Sequence, residues 1–152
     1  MQIIIKTIKH SKQAYNTPGD WRFENAEGKS ISQTEALCRA NTDDCVLRIN
    51  VSRLGDWRYE MLIAMHELAE TLMCMKNGVM VEDIDAFDKA FEKARKDGNQ
   101  DEPGDDVSAP YVNEHCIATA VERLMCAQLG CAWNEYSDMC EDLSKKAGDL
   151  WR

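Results

Sequence analysis

The sequence predicts an α+β fold: a small N-terminal sheet of about three strands packed with a layer of four α-helices. Three observations carry this. The first 55 residues hold short runs of β-branched residues separated by turn signals. From residue 57 onward, apolar residues recur at helical spacing in four blocks. No linker, repeat or composition break separates the strand-rich part (1–55) from the helical part (56–152), so the 152 residues read as one domain.

Each element has its own signal. "QIIIKTI" (2–8) is a strand, rich in side chains that suit a pleated surface. "DWRFENAEGKSI" (20–31) reads as a strand, a turn at "NAEG" and a return. Ser32 and Glu35 have capping-box spacing and start a short helix over 33–40. In "CVLRINVSRL" (45–54), Leu47, Ile49 and Val51 alternate with Arg48, Asn50 and Ser52, the pattern of a half-buried strand. The first long helix spans about 57–76, with Gly78 as a left-handed cap. The second spans about 81–96 on a stripe of Ile84, Phe87, Phe91 and Ala94, and Gly98 ends it. The acidic stretch 97–110, with its Gly and Pro, is a loop. A third helix over 111–129 stops at Gly130, and a fourth over 133–147 carries Trp133, Tyr136, Met139, Cys140 and Leu143. Trp21 and Trp57 are expected as core anchors.

Composition excludes several classes of function. The formal charge of −9 argues against duplex nucleic acid as a partner, because phosphate binding relies on clustered Lys and Arg. No apolar run is long enough to cross a membrane. The apolar stretch at the N-terminus is too short for a signal peptide, which places the chain in the cytoplasm. The seven cysteines include no CxxC pair and read as reduced thiols.

"MHELAETLMC" (65–74) carries the chemistry. It places His66, Glu67 and Glu70 in a helix whose other positions are apolar on nearly every side, the mark of burial on more than one face. A buried, unpaired carboxylate costs several kcal/mol, a large share of a domain stability of about 5–15 kcal/mol. A cation, an arginine or a protonated state must compensate. A divalent metal does so most completely. His66 and Glu70, four residues apart, project from one face as metal ligands do, and Glu67 lies beside them, placed to take a proton from water. A third ligand is expected from the third helix, where His115, Thr119 and Glu122 share an edge. His66, Glu70 and His115 form a two-imidazole, one-carboxylate set suited to zinc. Glu114 is the competing third ligand. Arg22, Arg48 and Arg58 are the cations that could make a metal unnecessary, above all if Arg48 or Arg58 met Glu70.

"HELAE" resembles the HExxH helix of zincin-type metallopeptidases, and "NEHCIATAVE" (113–122) is loosely similar to the later Glu-bearing helix of the gluzincin branch. The resemblance implies that His66 is a zinc ligand, that Glu67 is the general base and that the substrate is a peptide. It also implies that 45–54 is the edge strand preceding the helix. Glu70 replaces the family's second histidine, and His115 is positioned to restore the set. The run "HELAE…VEDIDAF…EPGDD…APY…EHCIATAVERL" also resembles small uncharacterised proteins of bacteriophages and prophages, which implies a host cytoplasm and no particular activity.

Two other readings stand beside the hydrolase. Glu67 and Glu70, then Glu82 and Asp85, resemble the magnesium-binding acids of all-α nucleotide pyrophosphohydrolases of the MazG type; Mg²⁺ would be their cofactor. Glu82 and Asp85 equally suit the first turns of a helix, where acids meet its dipole. The second is a catalytically inactive binding or inhibitory protein with a structural metal or polar centre, whose acidic loop meets a protein or peptide partner.

Overall fold

The structure, a computed structural model, describes residues 1–96 and 101–147. It is α+β, with three strands and five α-helices among the described residues. Strand β1 (Gln2–Ile8) and strand β2 (Gly19–Glu24) flank strand β3 (Val46–Ser52); β1 runs parallel to β3 and β2 antiparallel. Helix α1 (Gln33–Arg39) starts where the capping signal placed it, with Ser32 Oγ accepting from the Glu35 amide at 3.2 Å. Helices α2 (Trp57–Asn77), α3 (Val81–Ala94), α4 (Val112–Gln128) and α5 (Trp133–Ala147) follow. Gly78 closes α2 in the left-handed conformation, φ 73°, where a side chain would be strained. The expected stop at Gly98 and the first four residues of the acidic loop lie outside the described residues.

Helix α2 packs on β2 and β3, and α4 packs along α2. The main core lies between sheet and helices, built from Phe23, Leu47, Ile49, Leu62, Ile63 and their neighbours. A smaller cluster of Cys74, Ile84, Ala109 and Tyr111 ties α3 to the start of α4. All seven cysteines are free thiols. Among the described residues, no helix is long and apolar enough to cross a membrane.

Three expectations change. The alternation in 45–54 predicts a half-buried strand and the zincin likeness an edge strand, yet β3 is central and nearly all of it is buried. Its polar residues are buried because they are bonded: Asn50 donates to Asp20 at 3.0 Å, Ser52 Oγ meets Gln13 and His10, and Arg48 pairs with Glu24 at 2.6 Å. A satisfied polar group tolerates burial, so alternation alone does not leave one face of a strand exposed. Trp57 is not a core anchor; it stands 65% exposed at the first turn of α2. Helices α2 and α4 are apolar all round in sequence but not buried all round: Leu72, Ile117 and Leu124 face outward, as does Met139 on α5. The sheet and the partner helix cover only the inner sides of α2 and α4.

Candidate metal centre

His66 and Glu70 lie one turn apart on the inner side of α2, and His115 lies in the first turn of α4. The packing of α4 on α2 brings the three together. His66 Nε2 lies 3.2 Å from His115 Nδ1, His115 Nδ1 lies 3.0 Å from Glu70 Oε2, and Glu70 Oε2 lies 3.6 Å from His66 Nε2. All three residues are buried. Ligands at zinc's bond lengths and tetrahedral angles stand about 3.3–3.4 Å apart, so these separations fit one ion. Two nitrogens and one oxygen suit zinc better than magnesium, which takes oxygen ligands and keeps much of its water.

The atoms that face away from this triangle are also partnered. His66 Nδ1 meets Glu122 Oε2 at 3.2 Å, and the other Glu122 oxygen accepts from the Tyr136 hydroxyl. His115 Nε2 faces Asp105 at 3.5 Å and Glu102 at 3.6 Å. Trp21 Nε1 donates to Glu70 Oε1 at 3.2 Å. Carboxylates stand behind both imidazoles, as the outer partners of metal-bound histidines do; with the outward nitrogens donating to them, the inward ones would be free to bind an ion. The tight turn Pro103–Asp105 lies against His115, and a Cβ at Gly104 would overlap the imidazole ring.

The electrostatics show the same strain. Burial opposes charge on both imidazoles, yet the carboxylates override it. Glu122 and Glu70 raise His66 well above its ordinary value, and Asp105 and Glu70 bring His115 up to about 10. Burial works against a charged Glu70 too, but the two histidines lower it to about 2. In the metal-free protein, protons on the two imidazoles answer the charge of Glu70, and an ion in the triangle would take their place.

Glu67 is half-buried on the adjoining wall. Burial, then the charge of Glu70, raises its carboxyl well above the usual range. It accepts no hydrogen bond from any described residue. A Cβ at Gly19 would overlap the Glu67 carboxylate, so glycine at the head of β2 gives this side chain its space.

These groups line a cavity of about 400 Å³ that extends from the triangle past Trp21 and Tyr111 to Asp85 and Asp88 on α3. Of the sequence candidates, His66, Glu70 and His115 converge and Glu67 borders them. Glu114 does not join them: buried, it accepts from Asn77 at 2.6 Å instead. None of the three arginines meets Glu70. Arg22 and Arg48 both pair with Glu24, and Arg58 pairs with Asp56 at 2.6 Å. Of the acids of the nucleotide-hydrolase reading, Glu67, Glu70 and Asp85 line this cavity, Asp85 accepting from the Tyr15 hydroxyl at 2.7 Å, whereas Glu82 is exposed and accepts from the Gln33 backbone amide. Sequence reasoning gave no role at the site to Glu102, Asp105, Glu122 or Tyr136, and expected Trp21 only as a core anchor. Of these, only Glu122 carried a signal, its place on the His115 edge.

No family model, curated protein or solved structure matches this chain.

Proposed function

We propose that the protein is a zinc-dependent hydrolase of zincin-like chemistry, with His66, Glu70 and His115 as ligands, Glu67 as general base and a peptide amide as substrate. One observation carries the reading: each residue of the triangle has its inward atom directed at the others and its outward atom held by a partner of the right polarity. Two imidazole nitrogens and a carboxylate oxygen converge at 3.0–3.6 Å, the spacing that ligands of one zinc ion would have.

In this reading the ion supplies Lewis acidity and lowers the cost of deprotonating water. The protein's own residues do the rest. The Glu67 carboxyl, unpartnered and raised toward neutrality, takes the proton from the attacking water and returns it to the departing amine nitrogen. Burial of the triangle keeps bulk water away and strengthens each charge interaction.

Strand β2 supports a peptide substrate. It is an edge strand running antiparallel to its neighbour, and its first residues line the cavity. Its outer edge carries the isolated bridge Glu24–Ser30 at one end, and at the other the Gly19 carbonyl accepts from the Thr17 hydroxyl at 2.7 Å. The strand along the cavity is thus β2, not the 45–54 strand that the family likeness implies. The setting in this reading is a host cytoplasm, from the likeness to small phage and prophage proteins.

A catalytically silent centre remains the second reading, favoured by the exposed apolar side chains of α2 and α4, which offer contact surface. The test is elemental analysis joined to a peptidase assay. About one zinc per chain, with peptide hydrolysis that a chelator abolishes and zinc restores, supports the enzyme. Zinc without hydrolysis supports the silent centre. Protein that binds no zinc overturns both forms of the metal reading.

A further inference from the structure

We propose that the far end of the cavity recognises a cation, so that the substrate carries a protonated amine or guanidinium a short distance from the bond that is cut. The inference rests on reading the cavity as the substrate site. Among the described residues, ten carboxylates line it, and Arg123 is the single lysine or arginine. That arginine is engaged, its guanidinium lying 4.6 Å over the Trp133 ring. The carboxylates around the triangle face its histidines, whereas Asp88, on α3, has no ion pair among the described residues.

The charge is arranged rather than scattered. Tyr111 spans the two ends: its ring lies edge-on to His115, and its hydroxyl donates to Asp88 Oδ1 at 2.8 Å. Tyr15 donates to Asp85 in the same way, and Asp85 is further shared with exposed Lys89 at 3.4 Å. The second Asp88 oxygen has no hydrogen-bond partner among the described residues. With the Glu67 carboxylate, also without a hydrogen-bond partner among the described residues, it gives two such carboxylates lining one cavity from two helices. Burial brings Asp88 up to about 7, a group held at the cost of its own ionisation unless a cation arrives. The aromatic faces of Trp21, Tyr15 and Tyr111 complete the surroundings that ammonium and guanidinium groups favour. A phosphate ester or an acidic peptide would meet repulsion on every side.

The test uses the zinc-loaded full-length protein and two capped probes that differ in one charge, N-acetyl-lysinamide and N-acetyl-norleucinamide, titrated by calorimetry. The lysine probe is expected to bind about tenfold more tightly, and D88N, which preserves shape and the Tyr111 contact, is expected to erase most of that preference. Equal affinity for the two probes, or a preference that D88N leaves intact, overturns the proposal. Zinc content measured on the same samples separates the two claims. A lysine preference in protein that holds no zinc supports the cationic subsite and removes the metal centre. Zinc-loaded protein that cuts peptides without regard to charge does the reverse.

Discussion

His66 Nε2 and His115 Nδ1 lie 3.2 Å apart inside the protein. Two imidazole nitrogens at that separation share either one proton or one cation. The carboxylates behind the rings, Glu122 on one side and Asp105 and Glu102 on the other, hold protons on the outward nitrogens. In metal-free protein the inward nitrogens face Glu70 Oε2, which favours protons on them as well, and a metal would bind by displacing those inward protons.

The first prediction follows directly. H66A and H115A each remove one of three ligands and are expected to lose stoichiometric zinc, measured by mass spectrometry of the metal after gel filtration. E114A is expected to keep it, because Glu114 engages Asn77 away from the triangle. Zinc retention by both histidine variants would exclude the assigned ligand set.

Part of this arrangement was legible in the sequence. Spacing alone put His66 and Glu70 on one face, and the apolar neighbours of His115 put it on a central helix. Ser32 with Glu35 and the glycine at 78 marked helix ends correctly, because caps are local. The groups that hold the ligands were not legible. Trp21 is 49 residues from Glu70 in sequence, and Tyr136 is 14 from Glu122 on a different helix. Their meeting depends on packing angles that no local pattern encodes. The misplacement of β3 has a similar cause: Asn50 and Ser52 look like solvent-facing residues until their partners Asp20, Gln13 and His10 arrive from elsewhere.

A second prediction concerns Glu122, which touches His66 but not the position of the ion. E122Q keeps the shape and removes the charge that orients the ring. Loss of such a partner weakens metal binding by about 10–100-fold. Competition with a chromogenic chelator measures it. Y136F acts one step further out and is expected to have a smaller effect of the same sign. Unchanged zinc affinity in E122Q would mean that the contact is incidental.

Glu67 gives the third. E67Q is expected to hold zinc like the parent protein while hydrolysis falls by about 10²–10⁴-fold, the usual contribution of a positioned base. Because the carboxyl is raised by burial and by Glu70, its loss is also expected to make the metal-free protein more tolerant of high pH. Full activity in E67Q would reassign the base.

Gly104 gives the fourth. A methyl group there would press into the His115 ring, and neither the ring, fixed by Glu70 and Tyr111, nor the tight turn yields easily. Overpacking of this kind costs about 1–3 kcal/mol. G104A is therefore expected to lower both thermal stability and zinc affinity, measured by melting with and without the metal. A change in stability alone would show that the turn is structural and that His115 moves without consequence.

The last prediction sets two pH dependences against each other. In chelator-treated protein the folded pKa of His115 is about 10 against an ordinary 6.5, and that of His66 is also raised. A group that binds its proton more tightly when folded stabilises the fold fully below its unfolded pKa, and that stability is lost as pH rises through the folded value. Asp88, brought up to about 7, and Glu67 push the same way at lower pH, since a raised acid also holds more protons in the folded state than in the unfolded one. The melting temperature of the metal-free protein is therefore expected to fall as pH rises from about 6.5 towards 10. Zinc reverses the sign, because its ligands must be deprotonated and its affinity climbs with pH. The increment in melting temperature on adding zinc is thus expected to grow over the window in which the metal-free protein weakens. Replacing His115 with Gln is expected to flatten both curves. Metal-free protein that becomes more stable over this window would show that the histidines are not held protonated by their carboxylates, and the charge balance assigned to the centre would be wrong.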